Sequence, residues 1–241
     1  MFYNSLATRQ CAPEWMDARD VKPELIDNSL RFIRRVNTLL GYTRATLSHL
    51  QRFSCNWKPD ETITVLDVAT GSADIPRAVA HWAAQHGFKV KIIGLDRHEL
   101  TLGIARDLSR PNNSIGFIRG DALHIPLADA SVDYVITNMF LHHLEDDGIV
   151  QVMREMGRVA RRGVIAADLL RHKRAYFWIS LLTLASNSMI KHDAKLSVAQ
   201  AMNKQEAISL RDRAGIGFAQ YHRHFGHRFV LAGEKPGHTQ I

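Results

Sequence analysis

Two adjacent histidines, His142 and His143, stand in the run Asn138-Met139-Phe140-Leu141-His142-His143-Leu144-Glu145-Asp146. Imidazole titrates near neutrality, so such a pair suits the removal of a phenolic proton. Three aspartates precede it at separate places. Asp67 opens Asp67-Val68-Ala69-Thr70-Gly71-Ser72-Ala73-Asp74, where small residues let a ligand approach the backbone. Asp96 lies about 25 residues beyond Gly71, a spacing at which an acid can accept both hydroxyls of a ribose. Asp121, followed by the small Ala122, can accept from the exocyclic amine of adenine and leave room for the ring. A second acid–base pair, His192-Asp193, is followed by Ser197. Each feature also has a plain structural reading: a tight turn, a helix-capping acid, a turn aspartate, a packed histidine or a helix-terminal cap.

The elements that position these residues follow from hydrophobic periodicity. Leu30, Ile33, Val36 and Leu40 recur at helical spacing before Gly41, and a second helix covers 43–53. From residue 62 the texture changes to an apolar run ending in small residues, the pattern of a buried parallel strand. Further strands are expected at 90–96, 114–119, 131–138 and 163–168, with helices at 75–86, 99–108 and 145–162 between them. Helices at 171–190 and 203–214 follow, and 217–225 with 228–232 form a closing antiparallel hairpin turning at Gly226. The alternation predicts an α/β fold with a doubly wound, mostly parallel seven-stranded sheet. Residues 1–60 form an N-terminal helical extension or lid. Residues 61–241 form the main domain, with 171–203 as a helical lid insertion. Ligands of such sheets bind at the carboxyl ends of the strands, where Asp67, Asp96 and Asp121 lie.

The chain has 241 residues, 46% hydrophobic and 23% charged, which excludes a fibrous, disordered or disulfide-stapled protein. Its formal charge of +7 comes from scattered pairs with no basic arm, so nucleic acid is disfavoured as a partner. Cys11 and Cys55 fit no metal spacing, and His222, His224 and His227 lack a carboxylate or thiol to complete a set. No metal is expected. There is no secretion signal in the first residues, and the apolar stretch 175–190 is too short and too polar to span a bilayer. A reduced, cytoplasmic chain is the expectation.

Taken in order, the four strand-end segments resemble those of class I S-adenosylmethionine-dependent methyltransferases. VLDVATGSADIP is similar to the first motif of that family, and LHHLEDD to the segment after its fourth strand. MREMGRVARRGVIAADLLR, KHDAKLSVAQAM, RFVLAGEK and the early PEWMD narrow the likeness to the bacterial ubiquinone/menaquinone-biosynthesis-like, small-molecule branch. The resemblance implies a Rossmann-like methyltransferase fold with S-adenosyl-L-methionine as cofactor. It implies that Asp67, Ala69, Thr70 and Gly71 line the methionine part, that Asp96 holds the ribose and that Arg97 lies beside the adenine. Asp121 and Ala122 would bracket adenine, and Asn138 and Met139 would lie near the sulfonium. Ala69 and Ala73 stand where the family has glycine; their methyls are accommodated if φ is negative, at some cost in cofactor affinity.

The segment after strand four has no Pro-Pro pair, which disfavours base N-methylation. The histidines point to a hydroxyl oxygen, or a carbon activated through a phenolate, on a small aromatic, quinol or polyketide-like substrate. His142 or His143 is the expected base, with His192 and Asp193 the second candidates. Phe177, Trp178 and Leu181 are the expected aromatic wall over the substrate. Two rival readings are an RNA methyltransferase and a non-catalytic S-adenosylmethionine-binding partner protein. A nucleotide-dependent oxidoreductase lacks its GxGxxG fingerprint here.

Overall fold

The computed structural model describes residues 6–18 and 20–237. Residues 1–5, which the sequence assigns to the N-terminal extension, lie outside the described residues. A 3-10 turn at Trp15–Asp17 leads into α1 (Pro23–Leu39) and α2 (Tyr42–Ser54). Pro23 opens α1 where its missing N–H costs nothing, and Gly41, at φ +79°, makes the sharp turn into α2.

The sheet follows, with helices between its strands: β1 (Thr62–Val68), α3 (Asp74–Gln85), β2 (Lys89–Asp96), α4 (Glu99–Ser109), β3 (Ile115–Arg119) and β4 (Val132–Asn138). After β4 come α5 (Asp146–Val159), β5 (Ala160–Leu169), α6 (Lys173–Leu182), α7 (Ser188–Gln200) and α8 (Lys204–Arg213). The hairpin β6 (Gln220–His224) and β7 (Arg228–Glu234) closes the chain. Strand order is β3-β2-β1-β4-β5-β7-β6. The first five strands run parallel; β7 joins β5 antiparallel and pairs with β6. Order reverses between β1 and β4, whose ends lie level, Val68 opposite Thr137. The cleft of a doubly wound sheet opens there.

Strand periodicity divides the core in two. On β1, Leu66 and Val68 face a cluster built with Ile149, Met153 and Met156 of α5. Ile63 and Val65 face the other side, against Phe53 of α2 and Val79 and Ala83 of α3. Each such fully buried aliphatic side chain contributes about 1.5–3 kcal/mol.

Two boundaries differ from the sequence expectation. The helix expected over 145–162 ends at Val159, and Ala160 begins β5. The guanidinium groups of Arg161 and Arg162 grip the fully buried Asp133 carboxylate of β4 at 2.6 and 2.8 Å, which requires extended backbone beside that strand. The apolar stretch 171–190 is two helices rather than one. Thr183 turns its hydroxyl onto the Ile179 carbonyl at 2.8 Å, and the Asn187 side chain accepts the Ile190 N–H at 2.9 Å to start α7. The base of this insertion is stapled where Leu170 bridges Met202 and the Arg171 N–H donates to the Met202 carbonyl at 3.0 Å. No helix among the described residues is long and apolar enough to cross a membrane.

Candidate functional site

The turn after β1 carries a glycine-like backbone without the glycines. Ala69, Gly71 and Ala73 have φ of +57°, +54° and +57°. The negative φ that would accommodate the alanine methyls is not what the chain adopts. Left-handed alanine costs roughly 1–2 kcal/mol per residue, and the fold bears it because the turn must pack tightly. Gly94 on β2 shows how tightly: a Cβ there would stand 2.8 Å from the Phe117 ring and 2.9 Å from the Thr70 hydroxyl. Thr70 in turn donates to Asp67 at 2.7 Å, and the Gly71 N–H donates to Asp96 at 3.0 Å.

Acids gather at this turn, and among the described residues none of Asp67, Asp74 and Asp96 makes a salt bridge with a lysine or arginine. Asp67 is buried at the end of β1, and burial pushes its carboxyl up to about 8, against the Thr70 hydrogen bond and with help from Asp74 and Asp96. Asp96, at the end of β2, is also raised, chiefly by burial, although it accepts the N–H groups of His98 and Gly71. On β4, the Asn138 Oδ1 accepts the Thr46 hydroxyl at 2.5 Å, while its Nδ2 is buried with no partner. Met139 follows at φ +54°. A ligand bringing positive charge, ribose hydroxyls and an acceptor for that amide would satisfy all of these groups, which is the chemistry of S-adenosylmethionine.

The remaining expected adenine contacts are less gathered. Ala122 is buried, but Asp121 is exposed and accepts the Leu123 N–H at 2.9 Å, serving its own turn. Arg97 is exposed, and its carbonyl accepts from Arg119.

Beyond Met139 opens a cavity of about 660 Å³, walled by α1, α6, α7 and the β6–β7 turn. Its lining is mainly apolar, with Phe32 and Val36 from α1 and Trp178 and Leu181 from α6. Of the expected aromatic wall, Phe177 is not in the lining; it packs edge-on against Trp178 at 5.4 Å.

His142 is buried behind this cavity. Its Nδ1 lies 2.7 Å from Asp168 Oδ1, and its backbone N–H donates to Asp168 Oδ2 at 3.1 Å. Burial raises the Asp168 carboxyl, yet the charge and hydrogen bond of His142 outweigh it and hold the group below the usual range. The Nε2 of His142 lies 3.9 Å from Glu14, and that of His143 lies 4.0 Å from its other oxygen. Glu14 lines the cavity and accepts the Ser197 hydroxyl at 2.5 Å. Sequence reasoning missed both acids. Asp168 ends the fifth strand as Asp67 and Asp96 end theirs, a signal that was available; Glu14 lies in an irregular segment with no such signal.

The His192-Asp193 pair is placed differently. The two side chains touch at 2.9 Å, but Asp193 also accepts the N–H groups of Trp15 and Met16, and His192 stacks on Trp15 at 4.0 Å. The pair therefore anchors the N-terminal segment onto α7. His222 and His224 do share a face, packed against His49, while His227 stacks on His172.

Residues 65–163 match the family model described as a methyltransferase domain. The demethylmenaquinone methyltransferase of Staphylococcus haemolyticus is 33% identical over 98 residues, covering 41% of this chain and 39% of that protein. The demethylmenaquinone methyltransferase of Bacillus licheniformis is 27% identical over 173 residues, covering 66% of this chain and 72% of that protein. The match to the staphylococcal relative thus spans well under two thirds of its length. Among solved structures, an S-adenosylmethionine-dependent methyltransferase from Aquifex aeolicus superposes with a TM-score of 0.59 at 17% identity, over 89% of this chain and 99% of that one. That likeness concerns the fold. The matched segment carries Asp67, Asp96, Asp121 and Asn138 and stops within β5, before Asp168; with its sheet order and its curated relatives, this chain is similar to the class I S-adenosylmethionine-dependent methyltransferases.

Proposed function

We propose that this chain transfers a methyl group to a hydroxyl oxygen, or a phenol-activated carbon, of a small aromatic, quinol or polyketide-like molecule. The observation that carries the reading is the apolar cavity of about 660 Å³ with Met139 at its floor and Glu14, backed by His142 and His143, on its wall. Such a cavity excludes water from an extended apolar acceptor and leaves few polar groups to orient it. The relatives from Staphylococcus haemolyticus and Bacillus licheniformis, by their names, methylate demethylmenaquinone, which supports a quinol-type acceptor.

Bound S-adenosylmethionine supplies an electrophilic methyl group. In this reading Asp96 holds its ribose, Asp67, Ala69, Thr70 and Gly71 line its methionine part, and the Asn138 amide and Met139 flank the sulfonium. Ala122 packs on the adenine, with Asp121 and Arg97 at its exposed edge. Asp168 holds the His142 ring by its Nδ1, so that Nε2 is directed to the Glu14 side of the cavity. The acceptor hydroxyl loses its proton to this cluster. Trp178 and Leu181 close over the ring, and residues 171–203 serve as the lid.

The test is direct. Purified chain is incubated with S-adenosylmethionine and a panel of catechols, hydroxynaphthoquinols and alkylresorcinols, and S-adenosylhomocysteine is measured against the His142→Ala/His143→Ala double variant. The expected result is acceptor-dependent product that the variant lacks, with cofactor binding retained. Turnover unchanged in the variant would move the chemistry elsewhere. Methylation of RNA alone, with steep salt dependence, would overturn the substrate class.

A further inference from the structure

Glu14, His142 and His143 bring one carboxylate and two imidazoles together from opposite ends of the sequence, and their ligating atoms all lie within 4.8 Å of one another. The separations of 3.9 and 4.0 Å from Glu14 to the two Nε2 atoms are too long for hydrogen bonds. They do suit a shared ion, since two ligands each about 2.1 Å from one metal lie up to about 4.2 Å apart.

The surroundings are those of held ligands. Asp168 engages the far nitrogen of His142, which fixes the ring and turns Nε2 inward. Ser197 donates to Glu14 and orients its carboxylate. Carboxylate-to-histidine and hydroxyl-to-carboxylate contacts of this kind are what orient metal ligands. Glu14, His142 and Asp168 are all nearly inaccessible, at 4%, 2% and 0% exposure. Among the described residues, neither acid pairs with a lysine or arginine. A cation held by Glu14 and the two imidazoles would offset the charge of the buried Glu14 carboxylate, with Asp168 behind His142.

We propose that Glu14, His142 and His143 bind one divalent transition-metal ion of the zinc type. Two nitrogens and one oxygen are the donor set such ions take, with a further position left for an oxygen ligand. Because Glu14 lines the cavity, that position opens toward it. With the ion bound, His142 and His143 are ligands and not free bases, so the proton-accepting role given above applies to the metal-free chain; the site stands on its own geometry, whether or not the chain transfers methyl groups.

Untagged full-length chain, stripped with chelator, is titrated with Zn²⁺ by calorimetry and with Co²⁺ by visible absorption, in the absence of S-adenosylmethionine. One tight equivalent is expected, with the absorption of a four- or five-coordinate nitrogen–oxygen cobalt site. Glu14→Gln and His142→Ala each weaken it at least a hundredfold, and Asp168→Asn about 10–100-fold, as loss of an outer contact does. His224→Ala leaves it unchanged; that residue belongs to the carboxylate-free His49 cluster. His143→Ala, on the less buried side, serves if circular dichroism shows that His142→Ala is unfolded. Absence of a tight equivalent in the native chain, an equivalent insensitive to Glu14→Gln and His143→Ala, or one lost in His224→Ala would each overturn the proposal.

Discussion

Replacing Asp168 with asparagine isolates what its charge does. Asp168 Oδ1 lies 2.7 Å from His142 Nδ1 and accepts the Leu169 N–H at 2.6 Å, while Oδ2 accepts the His142 backbone N–H at 3.1 Å. Both oxygens face donors. An amide has one oxygen, so in either orientation its NH₂ meets an N–H in a fully buried place. At least one buried donor is left unsatisfied, and a charge-assisted bond becomes neutral. Together these cost about 2–4 kcal/mol. For a chain of this length that corresponds to roughly 5–15 °C in Tm. The pH dependence has a definite sign. A carboxyl held below its ordinary value adds stability that is full above that value and is lost as pH falls through about 4 and lower. The variant should therefore differ most from the native chain at neutral pH and converge with it in acid. Thermal melts from pH 3 to pH 8, followed by circular dichroism, read both effects without any substrate. A Tm loss at neutral pH of under about 2 °C, or a constant difference across the range, would refute the reasoning.

Three further outcomes are expected. Asp67, raised to about 8, keeps a proton in the native chain that the unfolded chain has lost, so stability without cofactor falls as pH rises from about 4 to about 8, by at most about 1.4 kcal/mol per pH unit. Asp67→Asn should flatten that limb in thermal melts, and an unchanged slope would show that other groups cause it. Trp178 is 60% exposed on the cavity rim, so Trp178→Ala should change stability by only about 0.5 kcal/mol. It should raise the acceptor KM about tenfold, the loss of about 1.4 kcal/mol, while the cofactor Kd stays put; equal effects on both would remove the lid reading. Asp96→Ala should weaken S-adenosylmethionine and S-adenosylhomocysteine about 10–100-fold in calorimetry, with NAD as the non-binding control, and unaltered affinity would displace the ribose site.

The strands were readable because parallel strands buried on both faces leave continuous apolar runs, as in TITVLDV and VDYVITN. Asp67, Asp96 and Asp121 were legible as strand-end acids because each follows such a run or its turn, whereas Asp168 at the fifth tip was passed over. What was hidden depended on partners distant in sequence. Arg161 and Arg162 look like the cationic end of a helix until Asp133 is found beside them. Ala69 and Ala73 carry no local sign that they adopt positive φ in the turn after β1. Glu14 could be linked to His142 only by a contact across 128 positions, and no periodicity reports that. Asp193 reads as a partner of His192 in sequence, yet its oxygens also hold backbone N–H groups 177 and 178 residues away.

That long-range anchoring sets an order of events during synthesis. The segment carrying Glu14 docks onto α7 through the Gln10 N–H to the Ala199 carbonyl, Trp15 and Met16 to Asp193, and Ser197 to Glu14. None of these partners exists when the segment leaves the ribosome. The Glu14–Ser197 contact spans 183 residues, which at about 5–20 residues per second is a wait of roughly 10–40 s. Through that interval the sheet can assemble from β1 to β5, with the turn after β1 complete, while the cavity still lacks one wall. The turn after β1 would thus be complete before the cavity is, and a segment made ahead of the sheet is placed after it.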